Sequence, residues 1–200
     1  MSRLPMRECQ MAEAVELDEA AKVNKRVALL IAVLALFLAL SDLGGGNADN
    51  DAVELNVQSA NLWAFYQAKT IRRTTTLLAV EEMETRMPDA SPAARAILEK
   101  RIAEWRRTAQ RYETEPETGE GRRELMARAL DASKQRDVQK ARGDAFDIAT
   151  ALLQISIVLA SAAIITGALM LAGLGGLLGA IAAALMAATF LVPSFIVQFF

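Results

Sequence analysis

The 200 residues carry 22 Lys and Arg against 24 Asp and Glu, a formal net charge of −2, so no global field recruits nucleic acid or anionic lipid. There is no histidine and Cys9 is the single cysteine, which removes the commonest general base, the commonest metal ligand and any intrachain disulfide together. Charged residues make up 23% of the chain, yet none occurs from Ile148 to Phe200, a run that a water-facing surface would not tolerate.

In chain order, residues 1–26 form a polar segment in which Glu13, Glu16, Asp18 and Glu19 precede Lys22, Lys25 and Arg26. An unbroken apolar run from Val27 to Leu40, followed by Ser41-Asp42-Leu43, predicts a transmembrane helix over 27–43. Its helical length, about 26 Å, is a little short of the ~30 Å hydrocarbon core. Lys25 and Arg26 can snorkel at one end and Asp42 can lie among headgroups at the other. A buried core helix would need a large soluble core to enter, and none is evident. Ala39-Leu40-Ser41 resembles a signal cleavage site, but the acidic leader before it makes a poor n-region. A retained membrane helix is the expectation.

Residues 44–146 read as a charged helical stalk. Gly44-Gly45-Gly46 is expected to break the helix, with Asn47, Asp49, Asn50 and Asp51 as N-cap candidates for the next. From Asp51 to Met87, Val57, Ala64, Ile71 and Leu78 recur every seven residues, with Asn61, Ala68 and Thr75 as a small, polar second row. This is a coiled-coil-like seam, weaker than a Leu/Ile zipper. Pro88 and Pro92 force a corner, and Ser91 is placed to cap a helix that runs to about Tyr112 with the stripe Leu98, Ile102, Trp105, Ala109, Tyr112. Thr114–Gly121 is a polar loop. A further helix begins near Arg122, and its stripe Val138, Ala141, Ala145, Ile148, Leu152 passes into the uncharged region without a break.

Two more membrane helices, 147–172 and 177–200, are expected to form a hairpin around Gly173-Leu174-Gly175-Gly176. Inside lipid, close backbone approach must replace the hydrophobic drive, so small residues mark the contact. Ser156, Ala160, Ala163 and Gly167 lie on one face of the first span, and Gly176, Ala180, Ala184 and Ala188 every four residues on the second. Gln154 is the one polar intruder well inside, and it needs a neighbouring backbone or a second subunit to bond. Pro193 is expected to bend the last helix, with Phe195, Phe199 and Phe200 at the far interface. Lys22, Lys25 and Arg26 favour a cytoplasmic N-terminus, although Lys134, Arg136, Lys140 and Arg142 before the second span argue the reverse.

Catalytic chemistry finds no residues to carry it. The glycine triplet lacks the lysine of a phosphate loop, and the Glu81-Glu82 pair cannot converge on one site. Arg72-Arg73, Arg106-Arg107 and Arg122-Arg123 sit among as many acids, 18 against 17 bases between residues 44 and 147, so they read as solvated faces. No catalytic, metal or cofactor-binding residue is assigned, and no enzymatic activity is expected. One segment resists a bland reading: Trp63, Phe65 and Tyr66 point in different directions around one helix, which buries only one stripe in a two-helix stalk. Packing between subunits is the expectation for these rings.

The motif Asn61-Leu62-Trp63-Ala64-Phe65-Tyr66-Gln67-Ala68-Lys69-Thr70-Ile71-Arg72 resembles the DUF4337 family of uncharacterised bacterial membrane proteins. The order of segments is similar too, although the His-rich N-terminus associated with that family is absent here. The resemblance implies a bacterial inner-membrane location and supplies no activity. The expectation is therefore an all-α integral membrane protein, embedded in the lipid bilayer and self-associating as a homo-oligomer through its stalk and hairpin. A subunit of a small oligomeric channel or transporter is the alternative.

Overall fold

The computed structural model describes the backbone of residues 4–191 and the side chains of residues 21–191. The described residues form four α-helices and no strand: α1 (Leu4–Arg86), α2 (Pro92–Glu113), α3 (Arg122–Thr166) and α4 (Leu169–Leu191). The fold is all-α, as expected. Two compact units emerge, and α1 and α3 contribute to both. An apolar unit comes from the chain up to Asn50 and from Val138 onward; a charged unit is Asp51–Asp137.

In the apolar unit, α3 runs antiparallel to α1, and α4 turns back parallel to it. One end is built on Val27 with Ala160, Ala163 and Ala172. The other brings Leu34 to Phe146, Ala149, Leu153, Ala182 and Met186. Three of the helices are long and apolar enough to cross a membrane, yet only 17%, 28% and 22% of their most apolar windows is buried inside the molecule. Leu29, Leu36 and Leu43 of α1, Val158 and Ile165 of α3, and Leu177 and Phe190 of α4 all point outward. A water-soluble core would show the opposite arrangement.

Two expectations about glycine are corrected here. Gly44-Gly45-Gly46 does not break the helix: α1 continues through it from Leu4 to Arg86. Each glycine costs a helix roughly 1 kcal/mol relative to alanine, and tertiary contact offsets that cost. A Cβ on Gly44 would lie 2.7 Å from the Phe146 ring, and one on Gly45 3.3 Å from the Phe146 Cβ. The glycines admit α3 to the surface of α1, where the Ser41 hydroxyl also donates to the Phe146 carbonyl at 3.1 Å. The hairpin turn, in turn, is not at Gly173–Gly176. It lies at Gly167-Ala168, where Gly167 takes the left-handed conformation (φ 72°) and its N–H bonds the Ala163 carbonyl at 2.9 Å. The later glycines are inside α4. The second and third spans accordingly meet at 167–168, and residues 192–200, with Pro193, Phe195, Phe199 and Phe200, lie outside the described residues, as does the Cys9 side chain.

The charged unit packs the first part of α3 against α1 through Leu62, Leu125, Ala129 and Ala132, with Trp63 and Tyr66 laid on that cluster. Ser59 donates to the Ala129 carbonyl at 3.2 Å and meets the Ser133 hydroxyl at 2.8 Å. The corner between α1 and α2 falls at the two prolines, and the Ser91 side chain accepts from the Ala94 N–H with Pro92 in the first turn. Ile102 and Ala109 of the expected α2 stripe are buried. The loop Thr114–Gly121 then leads into α3, which runs unbroken past Asp147 as its sequence suggests.

Candidate interaction surfaces and a polar junction

Arg122 opens α3 and Glu113 closes α2, so each charge stands at the helix end that the macrodipole disfavours. They compensate by pairing. The Arg122 guanidinium donates to Glu113 Oε2 at 2.6 Å, to the Tyr66 hydroxyl at 2.9 Å and to Thr70 Oγ1 at 2.8 Å, tying all three helices of the charged unit together. Arg123 bonds the other Glu113 oxygen at 3.2 Å, and Arg73 Nε lies 3.1 Å from the first. Burial works against ionisation of Glu113 more than any other single influence. The Arg123 hydrogen bond and the charges of Arg122 and Arg73 together outweigh it and hold the carboxyl below the usual carboxylate range. Across the same loop, Glu124 accepts from the Thr114 hydroxyl at 2.7 Å and from the Glu115 N–H at 3.3 Å, and its carboxyl is lowered first of all by the Thr114 bond. Arg122-Arg123 is therefore not the solvated face that its mixed-charge surroundings suggest. The signal that could have corrected that suggestion is the pair Tyr66 and Thr70, two polar groups one turn apart on an otherwise packed stripe.

The three aromatic residues separate. Trp63 and Tyr66 meet edge-to-face with ring centroids 5.4 Å apart and are half-buried inside their own chain, so intersubunit packing is not needed to cover them. Phe65 alone stays 62% exposed. It borders a cavity of about 330 Å³ whose lining combines Leu62, Ala68 and Leu125 with Lys69, Arg72, Glu120 and Arg128.

The heptad seam of α1 is left largely uncovered by the described helices of its unit, although Ala68 borders a cavity toward α3 and Thr75 one toward α2. Val57, Ile71 and Leu78 are 54%, 66% and 60% exposed, and Asn61, Ala64, Ala68 and Thr75 are exposed as well. Intrachain packing uses the other side of the helix, through Ser59, Leu62, Tyr66 and Val80.

Of the small residues expected in the hairpin contact, Ser156, Ala160 and Ala163 are buried. Gly167 is exposed in the turn. On α4 the stripe is displaced by about one residue: Gly176 and Ala188 are half-buried and Ala180 and Ala184 exposed, while Gly175, Gly179, Ala182, Met186 and Thr189 face inward. One residue is a rotation of about 100°, and the position of the turn at Gly167 decides which of several small-residue stripes meets α3. A Cβ on Gly175 would stand 2.7 Å from the Ser156 carbonyl oxygen, and one on Gly179 would collide with Leu34. Gln154 is exposed on the outer face of α3, and its carboxamide makes no hydrogen bond with any described residue.

No group of three or more His, Cys, Asp or Glu able to hold a metal ion occurs among the described residues. A family model described as a domain of unknown function (DUF4337) matches residues 23–192. No curated protein and no solved structure matches the chain.

Proposed function

The chain belongs to the DUF4337 family, and we propose that it is a bilayer-anchored structural or accessory protein that self-associates through its charged stalk and its apolar hairpin. The location that fits this reading is a bacterial inner membrane, with the residues before Val27 on the cytoplasmic side, where Lys22, Lys25 and Arg26 would lie.

The observation that carries the proposal is the exposed seam from Val57 to Leu78. Three heptads of apolar residues, about 32 Å of helix, are left largely without cover by the described helices. A seam with this period is complementary to a second copy of itself, knobs of one helix entering holes of the other. Copies inserted the same way in one membrane present the seam in parallel and in register. Small residues at Ala64 and Ala68 admit close approach, and Asn61 in the second row fixes register at some cost in stability.

Mass measurement in mild detergent tests this directly. The parent chain is expected as an oligomer, and the double variant Ile71→Asp, Leu78→Asp as a monomer with its helical content unchanged. Each apolar side chain buried at such a contact contributes roughly 1.5–3 kcal/mol, so the pair should shift association by several orders of magnitude. A monomeric parent, or a variant of unchanged mass, would overturn the reading.

A further inference from the structure

The outer face of α3 in the apolar unit carries a second contact surface, and it rests on the self-association reading just given. We propose that in the bilayer this face packs against the same face of a second copy, with the two Gln154 carboxamides hydrogen-bonded to each other.

Gln154 lies seven residues beyond Asp147, the last charged residue of α3, and therefore about 10 Å along the helix axis into the apolar region. Its side chain has two methylenes and does not reach back over two turns to water. Among the described residues beyond Asp147, the other polar side chains are already engaged. Ser156 donates to the Leu152 carbonyl, Ser161 to Ile157, Thr166 to Ala162 and Thr189 to Leu185, while Thr150 bonds Asp42. Of the described polar side chains beyond Asp147, Gln154 alone points outward with both donors and its acceptor unused. In hydrocarbon that arrangement is costly, and the cost is relieved by a partner from outside the chain.

The chemistry selects a second copy as that partner. A carboxamide carries donor and acceptor together, so two of them complement one another across a two-fold axis. All copies share one orientation in the membrane, which puts a neighbour's Gln154 at the same depth. The face around it has the spacing of a packing seam: Ala151, Gln154, Val158, Ser161 and Ile165 follow at intervals of 3, 4, 3 and 4. Ala151 and Ser161 are small and let the backbones approach. Val158 and Ile165 are among the most exposed apolar residues of the helix, so nothing among the described residues competes for this surface.

Oxidative cross-linking in liposomes tests the face. With Cys9→Ser the chain has no thiol, and single cysteines are then placed at Ala151 or Val158, leaving Gln154 intact, or at Ile181, which is exposed on α4 at a similar depth. Disulfide-linked dimers are expected at Ala151→Cys and Val158→Cys, well above the level at Ile181→Cys. Gln154→Leu should raise the dimer dissociation constant in liposomes about three- to thirty-fold, the range for one interhelical polar pair in a bilayer, and Gln154→Asn should restore part of it. Equal cross-linking at all three sites, or an unchanged constant in Gln154→Leu, overturns this face. If the detergent-purified parent is still an oligomer that Ile71→Asp, Leu78→Asp dissolves, the broader self-association reading survives that failure. If the parent is monomeric in both liposomes and detergent, the two fall together.

Discussion

The apolar and charged units are both built from α-helices, but they hold those helices together by different means. In the apolar unit the contacts run through small residues: Gly44 and Gly45 make room for Phe146, Gly179 makes room for Leu34, and Gly175 meets the backbone of Ser156 and Ala160. In the charged unit the contacts run through Leu62, Trp63, Tyr66 and Leu125, and an arginine with three acceptors closes the end. The difference follows from the solvent each unit is proposed to occupy. Water rewards buried area, so large side chains turn inward. Hydrocarbon gives no such reward, and only close fit and interhelical hydrogen bonds remain. Small residues are therefore structural where they would be weak points in a soluble bundle.

The largest expected effect lies in the charged unit. Tyr66→Ala removes a ring from the Leu62–Leu125 cluster and an acceptor from Arg122, and should destabilise that unit by roughly 3 kcal/mol. Hydrogen exchange should accelerate in residues 55–73 and 122–132 and stay unchanged in residues 150–165. Phe65→Ala, one residue away but exposed, should change the stability of the monomer by less than about 0.5 kcal/mol. Equal effects at the two positions would contradict the assignment of Tyr66 to an intrachain role.

A second comparison sits within α4. Gly175→Ala forces a methyl against the Ser156 carbonyl and should lower thermal stability in detergent by about 1–3 kcal/mol. Gly173→Ala meets nothing within 4 Å and should raise it by up to about 1 kcal/mol through helix propensity. The same substitution two residues apart thus carries opposite signs. A gain at both positions would mean that α3 and α4 are not in the contact described.

The smallest effect is that of pH. Glu113 is held below the usual carboxylate range in the folded state, so its contribution is fully present above the unfolded value near 4.3. It is lost as pH falls through the lower folded value. Circular dichroism and exchange should show the charged unit loosening below about pH 4, with Glu113→Gln abolishing that part of the dependence. The apolar unit should not respond.

What the sequence made legible divides along the same line. The uncharged run after Asp147, the proline corner at Pro88 and Pro92, the Ser91 cap and the unbroken passage of α3 into the apolar region are local signals, and each survives in the structure. The glycines misled because one residue type serves two purposes. At Gly167 the missing Cβ permits a positive φ; at Gly44, Gly45 and Gly175 it permits another helix to approach, and no local pattern distinguishes the two. The inward stripe of α4 could not be chosen while the turn was misplaced, since an Ala- and Gly-rich helix offers several equivalent stripes. The Arg122 junction joins residues 52 and 56 positions apart, beyond the reach of any periodicity. The heptad of Val57, Ala64, Ile71 and Leu78 is legible in the sequence, but that the described helices leave it exposed is not.

Alkaline carbonate extraction of membranes from cells expressing the chain probes the anchoring claim most directly. With Leu29, Leu36, Val158, Ile165 and Leu177 all turned outward, the protein should remain in the sedimented membranes and leave them only with detergent. Recovery of a folded, monodisperse species in the detergent-free supernatant would contradict the account, because that outward apolar surface would then have to be stable in water.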